Sequence, residues 1–369
     1  MASEEENAAV DPIVIDIGSG TVKAGISGYE QHQLIMRTLV AREAGAPKLL
    51  VGGDLNKAEA SSDVHVKPPV DAGEIVNFED VEEIIKYCIK MLKCEPEETP
   101  VLVLESPTCS KAERAALARI LLEKLGVPKI LTSSSGKLAL FGAGAMTGVV
   151  VSVGHGVTHV TPVLDGNVVV DAVQRLPLGG RDITLQIQEA HGGDEMPFHV
   201  ANRVKEHVAY VADDFEEESG KEFEERALLN LEHEEDGIIK YGPECFRAPE
   251  ILFDPSLAGL DARGVHELVF EAIRKCPAER RAELYSAILL TGGTTLLKNF
   301  PERLQMEVRN LAPEGSAEDV AVVAPDDRQH SAWVGGSVLC GLGSVASAWL
   351  TKEEYDADGE AAVEQKLPF

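Results

Sequence analysis

Two stretches of this chain have the same shape, and their repetition constrains the fold more than any other feature. Residues 13–27, "IVIDIGSGTVKAGIS", and 149–163, "VVVSVGHGVTHVTPV", each read as an apolar strand, a Gly-X-Gly turn and a second strand. They begin 136 residues apart, the mark of an internal duplication. After the first hairpin the pattern predicts a helix over 77–92, a buried strand at 99–106 and a helix over 110–126. That last helix starts on a Ser110 cap with Glu113 three residues later, and a strand in "VPKILTSS" follows. After the second hairpin come helix-rich acidic sequence over 182–236, a helix over 264–276, and a strand, Gly turn and helix over 285–313. Residues 330–359 read as a Gly-kinked helix followed by a short one. The stretch 43–72, poor in large apolar residues, reads as a small loop-rich subdomain. Alternating strands and helices predict α/β layers, here two like halves with one Gly turn each lining a cleft.

The chain has 369 residues, enough for two domains or one large two-lobed one. Aromatics make up 5% of it, so a core must be built from Leu, Val, Ile and Ala. No apolar run reaches the roughly 18 residues that span a bilayer. The opening "MASEEENAAV" is acidic rather than basic-then-apolar, which is not a secretory signal. A formal charge of −28 repels phosphate backbones and anionic lipid, so neither nucleic acid nor membrane is an expected partner. Much of that charge lies at 213–226 and 232–236, read as a solvated helical face. The six cysteines form no CxxC pair and no zinc spacing, and read as reduced core residues of an intracellular protein.

A Gly-X-Gly turn presents successive backbone N–H groups and lets an anion approach closely. Two such turns in a duplicated frame, Gly18-Ser19-Gly20 and Gly154-His155-Gly156, therefore mark a candidate phosphate site. Lys23, three residues past Gly20, is placed to reach back over the first turn. A third turn, "LTGGTTLL" at 290–297, joins a buried strand to a helix whose N-terminus suits a phosphate or the face of a base. No GxxxxGK[ST] run and no GxGxxG opening a helix is present, so P-loop and Rossmann readings fit poorly.

Beyond these turns, "DIGSGTVKAG", "GVTHVTPV", "LPLGGRDIT", "FRAPEILFDPSLAGLDARGVHE", "ILLTGGTT", "AWVGGSVL" and "TKEEYDADG" follow one another along the chain. In content and order they resemble the signature stretches of actin and actin-related proteins. The resemblance runs from residue 13 to the C-terminus. It implies a two-lobed actin-like ATPase fold of duplicated ribonuclease-H-like domains, with four subdomains around a central cleft holding ATP or ADP and magnesium. Subdomain 1 would comprise 1–37, 69–142 and 331–369, and subdomain 2 residues 38–68. Subdomain 3 would comprise 143–178 and 260–330, and subdomain 4 residues 179–259. On this resemblance Gly18, Ser19, Gly20 and Lys23 match one phosphate loop, and Gly154, His155, Gly156 and Val157 match the other. Lys205 and Glu206 match a pair at the base and ribose. Gly292, Gly293 and Thr294 match the loop under the adenosine, and His159 matches a histidine near the attacking water. Asp16 would be an outer-sphere partner of the metal.

Several positions depart from the family pattern. Ser152 and His155 stand where family ATPases carry carboxylates. Ser135 stands for a glutamine that positions water, and Gln329 for a lysine over the adenine. Hydrolysis needs an oriented water, a proton path and a metal taking up developing charge. Losing three such groups implies binding without efficient turnover, and magnesium loses the acceptors of its bound waters. At 42–53, "REAGAPKLLVGG", the loop that enters the next filament subunit looks short, so self-polymerisation is not expected. The expectation is a structural subunit of a cytoskeletal or axonemal assembly, with actin-fold or motor-associated partners, in the cytoplasm, cytoskeleton or a cilium. A polymerising ATPase with a rearranged site and an actin-related chromatin-remodeller subunit stand as alternatives.

Overall fold

Ile13, Val14 and Ile15 are consecutive, branched and apolar, and all three are fully buried, as a strand covered on both faces requires. A computed structural model of the chain describes residues 10–43, 49–58, 64–221, 229–233 and 237–367. They fall into two units, one from Met1–Ala143 with Ser331–Phe369 and one from Gly144–His330. The expected loop shortening at 42–53 falls partly on 44–48, outside the described residues.

In the first unit β1 (Ile13–Ile17) turns back antiparallel onto β2 (Thr21–Ile26), and β3 (Leu34–Arg37) follows at the edge. A small second sheet sets β4 (Val40–Glu43) between β5 (Leu49–Val51) and β6 (Val64–Lys67). The short pair β7 (Val70–Asp71) and β8 (Glu74–Ile75) turns through Ala72 and Gly73, both at positive φ. The helix α1 (Gly53–Ala58) follows β5, and α2 (Phe78–Met91) starts where the Asn77 side chain accepts the N–H of Asp80. Its Val81, Ile84, Ile85 and Cys88 form the buried stripe that the sequence periodicity predicts; Ile89 joins them, while Leu92, expected on the same stripe, is the half-buried C-cap. β9 (Val101–Glu105) then runs parallel to β1 on its other side, and β10 (Lys129–Ser134) runs parallel to β9. Between them α3 (Lys111–Ala118) carries the expected reciprocal Ser110–Glu113 cap and continues as wider turns to Lys124. β10 feeds α4 (Ser135–Gly142), and Leu350–Thr351 closes the far edge of the sheet.

Asp80 is fully buried, yet Lys67 and Arg42 approach its two oxygens at 2.6 and 3.1 Å. A carboxylate on α2 therefore anchors both β4 and β6 through two cations that remain partly exposed.

The helix Ser331–Cys340 runs unbroken, against the expected Gly kink, and a tight helical turn and a short strand separate it from the next helix, Lys352–Asp358. Its glycine serves close approach instead. A Cβ on Gly335 would lie 1.7 Å from the carbonyl oxygen of Leu138 on α4, and one on Gly142 would lie 2.7 Å from that of Ser331. Trp333 from the same helix is fully buried and donates its indole N–H to the Val14 carbonyl at 3.0 Å.

The second unit repeats the plan. β11 (Gly148–Val153) turns onto β12 (Thr158–Leu164), with β13 (Asn167–Val168) and β14 (Gln174–Leu176) beside β12. Then come α5 (Gly180–Ala190), α6 (Phe198–His207) and the short α7 (Phe215–Gly220). The predicted helix-rich stretch 182–236 does not stay helical: β15 (Leu229–His233) and β16 (Gly237–Tyr241) form a hairpin. The Leu-polar-Leu alternation of "LNLEH" has a strand's period and the β-branched Ile pair of "GIIKY" favours a strand, which the surrounding charge obscured. Part of each acidic run, 222–226 and 234–236, lies outside the described residues. Next are α8 (Glu244–Glu250), α9 (Val265–Lys275) and α10 (Arg281–Tyr285). β17 (Ile288–Thr291) pairs parallel with β11, and α11 (Phe300–Leu311) leads towards β18 (Val322–Val323). Arg303 on α11 is buried against Glu250 on α8 at 2.9 Å and donates to the Ala212 carbonyl at 2.8 Å.

Among the described residues no helix is long and apolar enough to cross a membrane. All six cysteines are free, and burial pushes the thiols of Cys88, Cys109, Cys245 and Cys340 up to about 12. Such thiols stay protonated and unreactive at neutral pH.

Candidate functional site

The two Gly turns are built identically at the backbone. In the first unit the Gly18 N–H donates to the Thr21 carbonyl at 3.1 Å, and in the second the Gly154 N–H donates to the Val157 carbonyl at 3.0 Å. The ladders agree residue for residue: Ile17 faces Val22 as Val153 faces Thr158, and Asp16 faces Lys23 as Ser152 faces His159. The third strand agrees as well, with Ile13 beside Val101 and Val149 beside Ile288. Each turn thus sits between an antiparallel partner and a parallel one, at the carboxyl end of its leading strand.

Around the first turn the side chains are polar and committed. The Lys23 ammonium lies 3.5 Å from the Asp16 carboxylate across the ladder. Ser19 accepts the N–H of Gly73 at 2.9 Å, which ties the turn to the strained corner between β7 and β8. Thr38 donates to the Gly18 carbonyl at 2.6 Å, and its N–H reaches the Gly20 carbonyl at 3.0 Å. Ser135 is the first residue of α4 and half-buried. Its neighbour Ser134 has a buried hydroxyl with no hydrogen-bond partner among the described residues, and Lys137 one turn on is half-buried, its pKa lowered by desolvation.

The second unit gathers more of the expected residues. The carbonyl of Gly154 accepts from the N–H of Gly180 at 2.9 Å and from the Thr294 hydroxyl at 2.9 Å, while the His155 carbonyl accepts from the N–H of Arg181 at 2.7 Å. These bonds lash the second Gly turn to the head of α5 and to the third Gly turn. Lys205 on α6 is buried, and its ammonium donates to the Gly180 carbonyl at 3.2 Å, the Thr184 hydroxyl at 3.2 Å and Asn202 at 2.7 Å. Burial lowers its pKa. Glu206 stands one residue on and accepts from Asn202 at 2.8 Å. The His155 ring meets Phe198 edge-on, centroids 6.5 Å apart. His159 is buried opposite Arg175 of β14, and burial first, then that guanidinium, pushes its imidazole down to about 4.

The third turn does not open an α-helix directly, as the sequence suggested. A short tight helix, Gly293–Leu296, intervenes before α11. Gly292 has φ 88°, and a Cβ there would fall 2.3 Å from the Val153 carbonyl oxygen, so only glycine fits. Sequence reasoning missed Arg328, which is buried and donates to Thr295 through Nε at 2.9 Å and a terminal nitrogen at 2.8 Å. Its carbonyl accepts from Thr291 at 2.8 Å. No local motif announces it. Gly179 and Gly180 were visible in "LPLGGRDIT" but read only as signature: a Cβ on Gly179 would lie 2.7 Å from the His155 carbonyl oxygen, and one on Gly180 2.5 Å from the Thr294 hydroxyl. Gln329, next to Arg328, is exposed.

Two α/β units, each bearing an antiparallel hairpin with a Gly-X-Gly turn and a parallel third strand, define a duplicated α/β protein. A family model described as Actin matches residues 7–198 and 194–368. An actin-like protein of Neurospora crassa is 34% identical over 363 residues, covering 93% of this chain and 95% of that protein. The centractin of Schizosaccharomyces pombe is 35% identical over 364 residues, covering 94% of this chain and 95% of its own. The chain belongs to the actin family; it is an actin-related protein.

Proposed function

We propose that this actin-related protein is a structural subunit of a cytoskeletal complex that binds adenine nucleotide and hydrolyses it poorly. The observation that carries the reading is the pair of Gly turns. Each closes with the same backbone hydrogen bond, and the second is braced by Gly180 and Thr294, while no carboxylate stands at Ser152 or His155. A turn held rigid by its own backbone can take a phosphate in any protonation state of its side chains. Cleavage needs more: a water held in line and a group to receive its proton. Ser135 and Ser152 are too short and too weakly basic for that work, and His159, desolvated, stays neutral and weakly basic. Each missing positioning group typically costs about 10²-fold.

Centractin among the relatives favours a cytoskeletal complex; nothing in the relatives' names points to an axoneme or to chromatin. The looked-for partners are protein subunits of that complex, and the short loop at 42–53 argues against free self-polymerisation. Bound nucleotide would stabilise the fold by about 2.7 kcal/mol at a hundred times its dissociation constant. Denaturing the purified protein and chromatographing the supernatant tests the reading. Stoichiometric ADP or ATP, with phosphate release at background, is expected. Magnesium-dependent phosphate release coupled to sedimentable filaments would defeat it in favour of a polymerising ATPase.

A further inference from the structure

We infer that this site takes the nucleotide's phosphates without a divalent cation, with the His155 imidazole donating to a phosphate oxygen. The inference rests on the nucleotide reading above. The fold family implies magnesium, and the residues present do not fit it. Magnesium keeps most of its waters, and a site holds them by lining itself with carboxylate or carbonyl oxygens. On the second hairpin the positions flanking the turn are Ser152, His155 and His159, none of them anionic. Two carboxylates on the neighbouring helices α5 and α6 have other work. Asp182 accepts the Gly179 N–H at 2.8 Å as the cap of α5, and Glu206 accepts from Asn202 at 2.8 Å. On the first hairpin Asp16 lies 3.5 Å from the Lys23 ammonium, which already meets its charge. Among the described residues no group of three or more His, Cys, Asp and Glu side chains could hold a metal ion.

The same residues suit a bare polyphosphate. Lys205 brings a buried cation to the second turn through Gly180. His155 sits at the apex of that turn, its carbonyl held by Arg181 and its ring placed by Phe198. Imidazole carries at least one N–H in either protonation state, so it can donate to a phosphate where an acidic residue would repel one. A carboxylate at this apex would need a cation between itself and the phosphate; a histidine does not.

The test is titration of the full-length protein with a fluorescent ATP analogue, once in excess magnesium and once in excess EDTA. The expected dissociation constants agree within about threefold. His155→Asp is expected to weaken binding in EDTA by about tenfold or more and to recover in magnesium. His155→Gln, which keeps an N–H donor, is expected to stay magnesium-indifferent. Loss of wild-type affinity by about tenfold or more in EDTA would overturn the inference and leave nucleotide binding standing. Binding in neither condition would overturn both. The magnesium and EDTA arms use the unaltered protein, so a variant that fails to fold does not blunt the test.

Discussion

The hairpin at 13–26 and the hairpin at 148–164 share a backbone and differ in chemistry. Their turns close with the same hydrogen bond, at 3.1 and 3.0 Å, and their ladders hold the same register. Yet Asp16 and Lys23 form an ion pair across the first, while Ser152 and the neutral His159 face each other across the second. Their third strands diverge too. Glu105 ends one and is buried in a forked pair with Arg114 at 2.7–3.0 Å. Thr291 ends the other, and a Cβ on the next residue, Gly292, would lie 2.3 Å from the Val153 carbonyl oxygen. Backbone geometry persists because it depends on glycine, strand pairing and main-chain bonds. The side chains projecting from that frame can change charge without disturbing it. The first turn is held by Thr38, through its hydroxyl and N–H, and by the Gly73 N–H on Ser19; the second is held by the N–H groups of Gly180 and Arg181 and by the Thr294 hydroxyl.

That contrast can be broken at several points. Exchanging the residues at its centre should have the largest effect. His159→Lys places an ammonium at a buried position beside the half-buried Arg175, and is expected to cost on the order of 4 kcal/mol in urea unfolding. The reverse change, Lys23→His at a partly exposed site, should cost about 1 kcal/mol or less. A midpoint unchanged by His159→Lys would show that the second ladder tolerates charge as the first does. Gly292→Ala comes next, at about 3 kcal/mol, because its backbone is left-handed and its Cβ would overlap a carbonyl.

The buried imidazole also predicts a pH dependence. His159 titrates near 4 when folded against 6.5 in a free chain, so the unfolded state binds its proton first. The stability due to the neutral form is complete above pH 6.5. It falls as pH drops towards 4, by roughly 3 kcal/mol in all. His159→Gln should flatten that slope in urea midpoints measured across this window; an unchanged slope would place the titration elsewhere. The smallest effect sharpens the likeness. A Cβ on Gly18 or Gly154 would sit 3.2 or 3.3 Å from the matching carbonyl oxygen. Gly18→Ala and Gly154→Ala should each cost about 1 kcal/mol, and nearly the same amount. Costs that differ severalfold would mean that the two turns carry unequal load.

Much of this was readable from the residues. The 136-residue offset predicted the paired ladders, and Ser110 with Glu113 predicted the cap of α3. The α2 stripe followed from its three- and four-residue steps. Reading failed where a local pattern had two explanations. "VGGSVL" suits a kink or a close helix crossing, and only the position of Leu138 on α4 decides between them. The strands β15 and β16 were hidden by acidic neighbours, whose charge speaks of solvent rather than of period. Within the candidate site, the Gly turns were legible as turns from their residues, and Lys205 was named only through the family resemblance. Arg328 was not foreseen, because its task is to meet Thr295, 33 residues away, and nothing beside it in the chain reveals that.

The linear order of residues suffices for whatever depends on neighbours: which segments extend, where they turn, which faces are apolar, and where the charges of one copy are missing from the other. It also carries the family, because the signature stretches recur in order from residue 13 onward. Tertiary packing alone decides what each polar group does once water is gone. It turns Lys23 towards Asp16, commits Lys205 to Gly180, Thr184 and Asn202, and holds His159 neutral. The physical reason is that charge state and hydrogen-bond choice follow from burial and from partners distant in the chain, and neither exists until the strands have met.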